Sequence, residues 1–63
     1  MKVSKLSAGF YIMTNESGRY KVQKLSGNGF TWDISKRIDD RWRHVCLMNG
    51  FNKIKTELSK NNI

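Results

Sequence analysis

Two segments that alternate between apolar and polar side chains, at positions 19–24 and 30–34, constrain this chain more than any other feature. Successive side chains of a strand point to opposite sides. A period of two therefore makes one face that needs burial and one that tolerates water. In the first segment Tyr20 and Val22 face one way and Arg19, Lys21 and Gln23 the other. In the second, Phe30, Trp32 and Ile34 share a face, with Thr31 and Asp33 behind them. Between them, Ser26-Gly27-Asn28-Gly29 contains Asn-Gly, a pair that adopts positive φ readily and so favours a hairpin turn.

A further strand precedes these. Gly9-Phe10-Tyr11-Ile12-Met13-Thr14 is rich in strand formers, and the polar joint Asn15-Glu16-Ser17-Gly18 connects it to Arg19. Gly18 is the joint residue expected to need positive φ. Phe10 and Ile12 share one side of this strand, Tyr11 and Met13 the other. The expectation is that Phe10 and Ile12 join Tyr20, Val22, Phe30 and Trp32 in the core. Tyr11 and Met13 would then lie with Arg19, Lys21, Gln23 and Thr31 on the solvated face. Leu25 breaks the alternation, so the second strand ends or bulges near Lys24.

Positions 35–48 read in two ways. Ile34, Ile38, Trp42 and Val45 have the spacing of a helix face. Alternatively, Lys36-Arg37-Ile38-Asp39-Asp40 is a loop that turns on its aspartates, and a fourth strand runs from Arg41 to Met48. The strand-rich composition favours loop and strand. With Arg41 and Arg43 solvated, Trp42, His44, Cys46 and Met48 would point inward.

After Asn49-Gly50 the period changes. Phe51, Ile54 and Leu58 form one stripe of a helix over 51–60, with lysines on its remaining surface and Asn49 or Asn52 as its N-cap. A helix of about ten residues does not hold in water alone, so it must lie on the apolar side of the sheet. Residues 1–6 read as a loose arm. The expected architecture is a single α+β domain over 1–63. It has an antiparallel β-meander of three or four strands and one C-terminal helix packed on one face.

A chain of 63 residues buries only about 60% of the surface its unfolded form exposes. Cys46 is the only cysteine and His44 the only histidine, so neither an internal disulfide nor a four-ligand cysteine–histidine zinc site is available. A partner, or a homodimer joined through the sheet edge, is the expected source of extra stability. The lone cysteine suits a reducing compartment, and no long apolar run follows the basic start, so a cytoplasmic protein without a membrane partner is expected. No cofactor, metal or catalytic activity is expected either. His44 has no partner spacing, Cys46 sits in the apolar run Val45-Cys46-Leu47-Met48, and Asp39-Asp40 lacks further oxygen ligands in register. Gly27-Asn28-Gly29 lacks the lysine and helix of a phosphate loop.

Charge gives the functional direction. Twelve Lys and Arg against five Asp and Glu leave +7, with a pI near 10.0, which favours a polyanionic partner. The candidate nucleic-acid-binding residues are Tyr11, Arg19, Lys21, Gln23, Thr31, Arg41 and Arg43. Arginine can pair with phosphate or guanine, glutamine can read adenine, tyrosine can stack, and lysine neutralises phosphate. DNA is favoured over RNA. The competing reading is a phage-type adaptor or inhibitor that binds a host protein through an acidic surface. Phage origin is suggested by abundant Asn and Lys with no Pro. Exposed Trp, Tyr and Arg suit such an interface.

The segment Phe30-Thr31-Trp32-Asp33-Ile34, a charged loop, Arg41-Trp42-Arg43-His44-Val45-Cys46-Leu47 and then Gly50-Phe51 opening a helix resembles the last two strands and helix of the ethylene-response-factor type of DNA-binding domain. The layout is also similar to the arm-binding domains of phage tyrosine recombinases. The resemblance covers about half the chain and lacks the alanine-rich helix of the plant family. It implies a sheet lying in the major groove, with Trp32, Arg41, Trp42 and Arg43 as candidate contacts. The parity of Trp32 with Phe30 and Ile34 instead places that ring in the core.

Overall fold

The computed structural model describes residues 1–25 and 31–63. Strands β1 (Lys2–Ser7), β2 (Phe10–Asn15), β3 (Gly18–Lys24), β4 (Thr31–Ile38) and β5 (Arg41–Asn49) form one antiparallel sheet in sequence order, followed by helix α1 (Phe51–Ser59). The α+β class and the C-terminal helix match expectation. The sheet has five strands rather than three or four. The Asn28-Gly29 turn and Phe30 lie outside the described residues.

The N-terminal arm is not loose. It pairs with β2 from Lys2↔Thr14 to Lys5↔Tyr11, and Ser7↔Phe10 closes a turn over Ala8 and Gly9. Gly9 has φ 73°, and a Cβ there would come within 3.2 Å of the Lys24 Cβ. The close approach is used, since the Lys24 N–H donates to the Gly9 carbonyl at 2.8 Å. Lysines at positions 2 and 5 suit an edge strand, whose charge discourages pairing with other chains.

Between β2 and β3, Asn15 builds the turn with its own side chain. Its Oδ1 accepts from the Ser17 N–H at 2.9 Å, the Ser17 hydroxyl at 2.9 Å and the Gly18 N–H at 3.1 Å. Its Nδ2 donates to the Leu58 carbonyl at 2.9 Å, so the same residue ties the hairpin to the end of α1. Gly18 takes the positive φ expected of it, at 145°.

The β2 parity is the main correction. The hairpin pairs Met13 with Tyr20 and Tyr11 with Val22, so Tyr11 and Met13 face the helix and Phe10 and Ile12 face away. Directly opposed residues of paired strands share a face. Four consecutive apolar residues left β2 without a distinguishing alternation, and the register decided its orientation. The core comprises Met13, Tyr20, Val22, Trp32, Ile34, Ile54 and Leu58, with Tyr11, Cys46, Met48, Phe51 and Ile63 packed around it. Tyr11, Trp32 and Phe51 form an aromatic triad with centroid separations of 4.6–5.9 Å.

The segment 35–48 is strand, turn and strand. β4 continues to Ile38, and the expected five-residue loop is only Asp39 and Asp40, enclosed by the pair Ile38↔Arg41. Both aspartates have positive φ, 53° and 63°, the signature of a type I′ turn. Further along, Ile34 pairs with Cys46 but Ser35 pairs with His44, which leaves Val45 as an extra residue in β5. Such a bulge reverses the parity beyond it. Cys46 and Met48 face the helix as expected, whereas Trp42 and His44 turn to the opposite side.

The helix buries Ile54 and Leu58 completely. Gly50 is its N-cap, at φ 91° and with no side-chain cap, in place of the expected Asn49 or Asn52. The Asn49 side chain instead accepts from the Thr31 hydroxyl at 2.8 Å. The chain end is also anchored: the Tyr20 hydroxyl donates to the Ile63 carbonyl at 3.0 Å. Among the described residues, no helix is long and apolar enough to cross a membrane.

Candidate functional site

A single short helix covers only one side of a five-stranded sheet, so the other side is left open. The register assigns its occupants. β3 contributes Arg19, Lys21 and Gln23, opposite Thr14, Ile12 and Phe10 of β2. On β4 the face continues through Asp33 and Ser35, partners of Gln23 and Lys21. On β5, Trp42 stands opposite Arg37 and His44 opposite Ser35.

Trp42 has two cations near its ring. The Lys21 ammonium is 5.7 Å from its ring centroid and the Arg37 guanidinium 5.5 Å. Both distances allow attraction of the cation to the π-face. The ring is half-buried.

At the other end of the face, Lys2, Ser4, Leu6, Ile12, Thr14 and Arg19 line an open groove of about 410 Å³. It combines two cations, two hydroxyls and two aliphatic side chains.

Of the five carboxylates in the chain, only Asp33 occupies a strand position on this face. Glu16, Asp39 and Asp40 lie in turns and Glu57 in the helix. His44 Nδ1 is 2.7 Å from Asp33 Oδ1. A carboxylate only accepts, so Nδ1 carries the proton of this bond. Asp33 is thereby occupied by a neighbour, and Lys2, Arg19, Lys21 and Arg37 dominate the face.

The candidate residues divide between the two sides. Arg19, Lys21, Gln23 and Thr31 share the open face. Tyr11 does not; its ring is 4.6 Å from Phe51 in the aromatic triad, because the β2 register turns it toward the helix. Arg41 and Arg43 are exposed but lie on the helix side, since they pair with Ile38 and Lys36 beyond the Val45 bulge. Lys36 confirms the side, with its ammonium 5.5 Å from the buried Tyr20 ring. Trp32, a candidate through the resemblance, is buried at 9% exposure.

The open face also contains residues that sequence reasoning did not assign to it, Arg37, Lys2, Phe10 and Ile12, together with Trp42, a candidate through the resemblance that parity had turned inward. Counting back from the joint would have placed two of them. Any loop that pairs Thr14 with Arg19 also pairs Met13 with Tyr20, which sends Ile12 and Phe10 outward. The Val45 bulge that turns Trp42 outward has no comparable signal.

No group of three or more metal-ligating side chains occurs among the described residues. Burial, and after it the Asp33 carboxylate, pushes the Cys46 thiol above its usual range, which disfavours the nucleophilic thiolate. The open face presents cations, the half-buried rings of Phe10 and Trp42, amide and hydroxyl groups, and aliphatic side chains. No family model, curated protein or solved structure matches this chain.

Proposed function

We propose that this protein binds nucleic acid through the uncovered face of its sheet. The observation that carries this reading is Trp42, with Lys21 and Arg37 both near its ring, on a face whose one strand carboxylate is already occupied by His44. Cations also stand on the helix side, so charge alone does not select a face. The open face adds a π-surface and apolar area that an unspecific basic surface does not need. Lys2, Arg19, Lys21 and Arg37 supply phosphate contacts, whose strength falls with salt as counterions are released. Gln23 and Thr31 offer groups able to hydrogen-bond base edges.

Fluorescence-anisotropy titration with labelled DNA and RNA at two salt concentrations tests the reading. Binding that weakens linearly in log affinity against log salt is the expected result. No binding at micromolar protein and low salt contradicts it. Retention of an acidic protein from a nuclease-treated lysate, without any oligonucleotide binding, would replace it with the adaptor reading.

A further inference from the structure

We infer that the preferred ligand of this face is a single strand with unpaired bases rather than a duplex. The inference rests on the nucleic-acid reading above and specifies the ligand's form. A duplex presents phosphates and base edges, while its base faces are stacked away from a protein surface. The flat side of Trp42 has nothing to stack on in such a ligand. An unpaired base supplies that surface, and stacking on an exposed aromatic is a general way to hold single strands.

The apolar part of the face agrees. Phe10 and Ile12 are only half-buried, and Leu6 is 61% exposed. Phosphates have no use for these side chains, whereas sugars and unstacked bases do. Lys2 and Arg19 line the same groove as Leu6 and Ile12, so phosphate and sugar or base contacts are available together. Lys21 and Arg19 on β3 bridge the interval between this groove and Trp42 on β5.

At about 4.8 Å between neighbouring strands, β5 and β2 are about 15 Å apart. At the 3.4 Å step of a stacked strand that interval holds about four nucleotides at most, and fewer when the bases are unstacked. The ligand thus crosses the sheet with one base on Trp42 and its backbone over Lys21 and Arg19. Its far end lies in the groove. Trp42 already attracts Lys21 and Arg37, so both cations are poised to move onto the flanking phosphates when a base takes the ring.

The test compares labelled oligothymidine and oligouridine of about twelve nucleotides with a hairpin duplex of equal charge. The full chain is used, with Trp42→Ala and Trp42→Tyr variants checked for folding by circular dichroism. The expected result is single-strand binding about tenfold tighter than duplex binding. Trp42→Ala should lose about tenfold or more on the single strands, and Trp42→Tyr should retain most of it. Tryptophan emission of the unmodified protein gives an arm that needs no variant. Stacking should quench Trp42, while Trp32 is buried beyond reach of a base. Equal or tighter binding to the duplex, with emission unquenched, overturns the single-strand inference and leaves the nucleic-acid reading standing. Failure to bind any of the three ligands sinks both.

Discussion

The two faces of this sheet are built from the same five strands, yet they differ in how far each side chain is fixed. On the helix side Met13, Tyr20, Val22 and Ile34 are fully buried beneath Ile54 and Leu58. On the open side Phe10 and Ile12 are half-buried, and Arg19 and Gln23 are exposed. Strand β2 contributes to both sides with residues of nearly equal hydrophobicity. Burial here is therefore decided by register and by where the one helix lies, rather than by residue type alone.

That contrast can be broken most forcefully at the helix. Leu58→Ala should cost about 2–5 kcal/mol through lost transfer energy and a cavity. For a domain with about 5 kcal/mol of stability that is a large fraction of the total, which urea denaturation would report. A paired comparison in β2 sharpens the contrast further. Met13→Ala should cost about 2–5 kcal/mol and Ile12→Ala about 1 kcal/mol. The opposite order of melting temperatures would restore the parity expected from the sequence. Asn15→Ala should cost about 1–2 kcal/mol, since it leaves turn N–H groups and the Leu58 carbonyl without their partner. The smallest stability change should be a gain. Asp40→Gly relieves a left-handed non-glycine residue and should stabilise by about 1 kcal/mol or less.

How much of this was legible differs by element for physical reasons. β3 and β4 announce themselves because Tyr20, Val22, Trp32 and Ile34 alternate with polar residues. The helix stripe of Phe51, Ile54 and Leu58 is equally plain, although Tyr11 and Met13 stand on its side of β2 where Phe10 and Ile12 were expected. β1 was hidden because an edge strand carries lysines and few apolar residues, the composition of a loose arm. The faces of β2 were ambiguous, and only hairpin pairing resolves them. In β5 the bulge at Val45 moves Trp42 and His44 to one side and Arg41 and Arg43 to the other. Its position follows from the pairing of β4 with β5 and the packing of Cys46 and Met48, which local sequence does not encode. The candidate site was thus half visible: Arg19, Lys21, Gln23 and Thr31 from alternation, but Arg37 and the outward side of Trp42 only from the fold.

The open face also predicts its own electrostatic balance. Asp33→Asn removes the one strand carboxylate that opposes a polyanion, so affinity for an oligonucleotide should rise a few-fold. Stability should change by less than about 1 kcal/mol, because the partner His44 is largely exposed.

The central claim is that one face of the sheet binds, rather than the overall +7 charge. Two double variants remove the same charge from opposite sides: Arg19→Ala with Lys21→Ala on the open face, and Arg41→Ala with Arg43→Ala on the helix side. Their affinities for one labelled oligonucleotide, measured across a salt series, are the most direct test. The open-face pair should weaken binding about tenfold or more and lower the salt slope by about two, while the helix-side pair stays within about twofold of the unmodified protein. Equal losses from the two pairs would contradict the account.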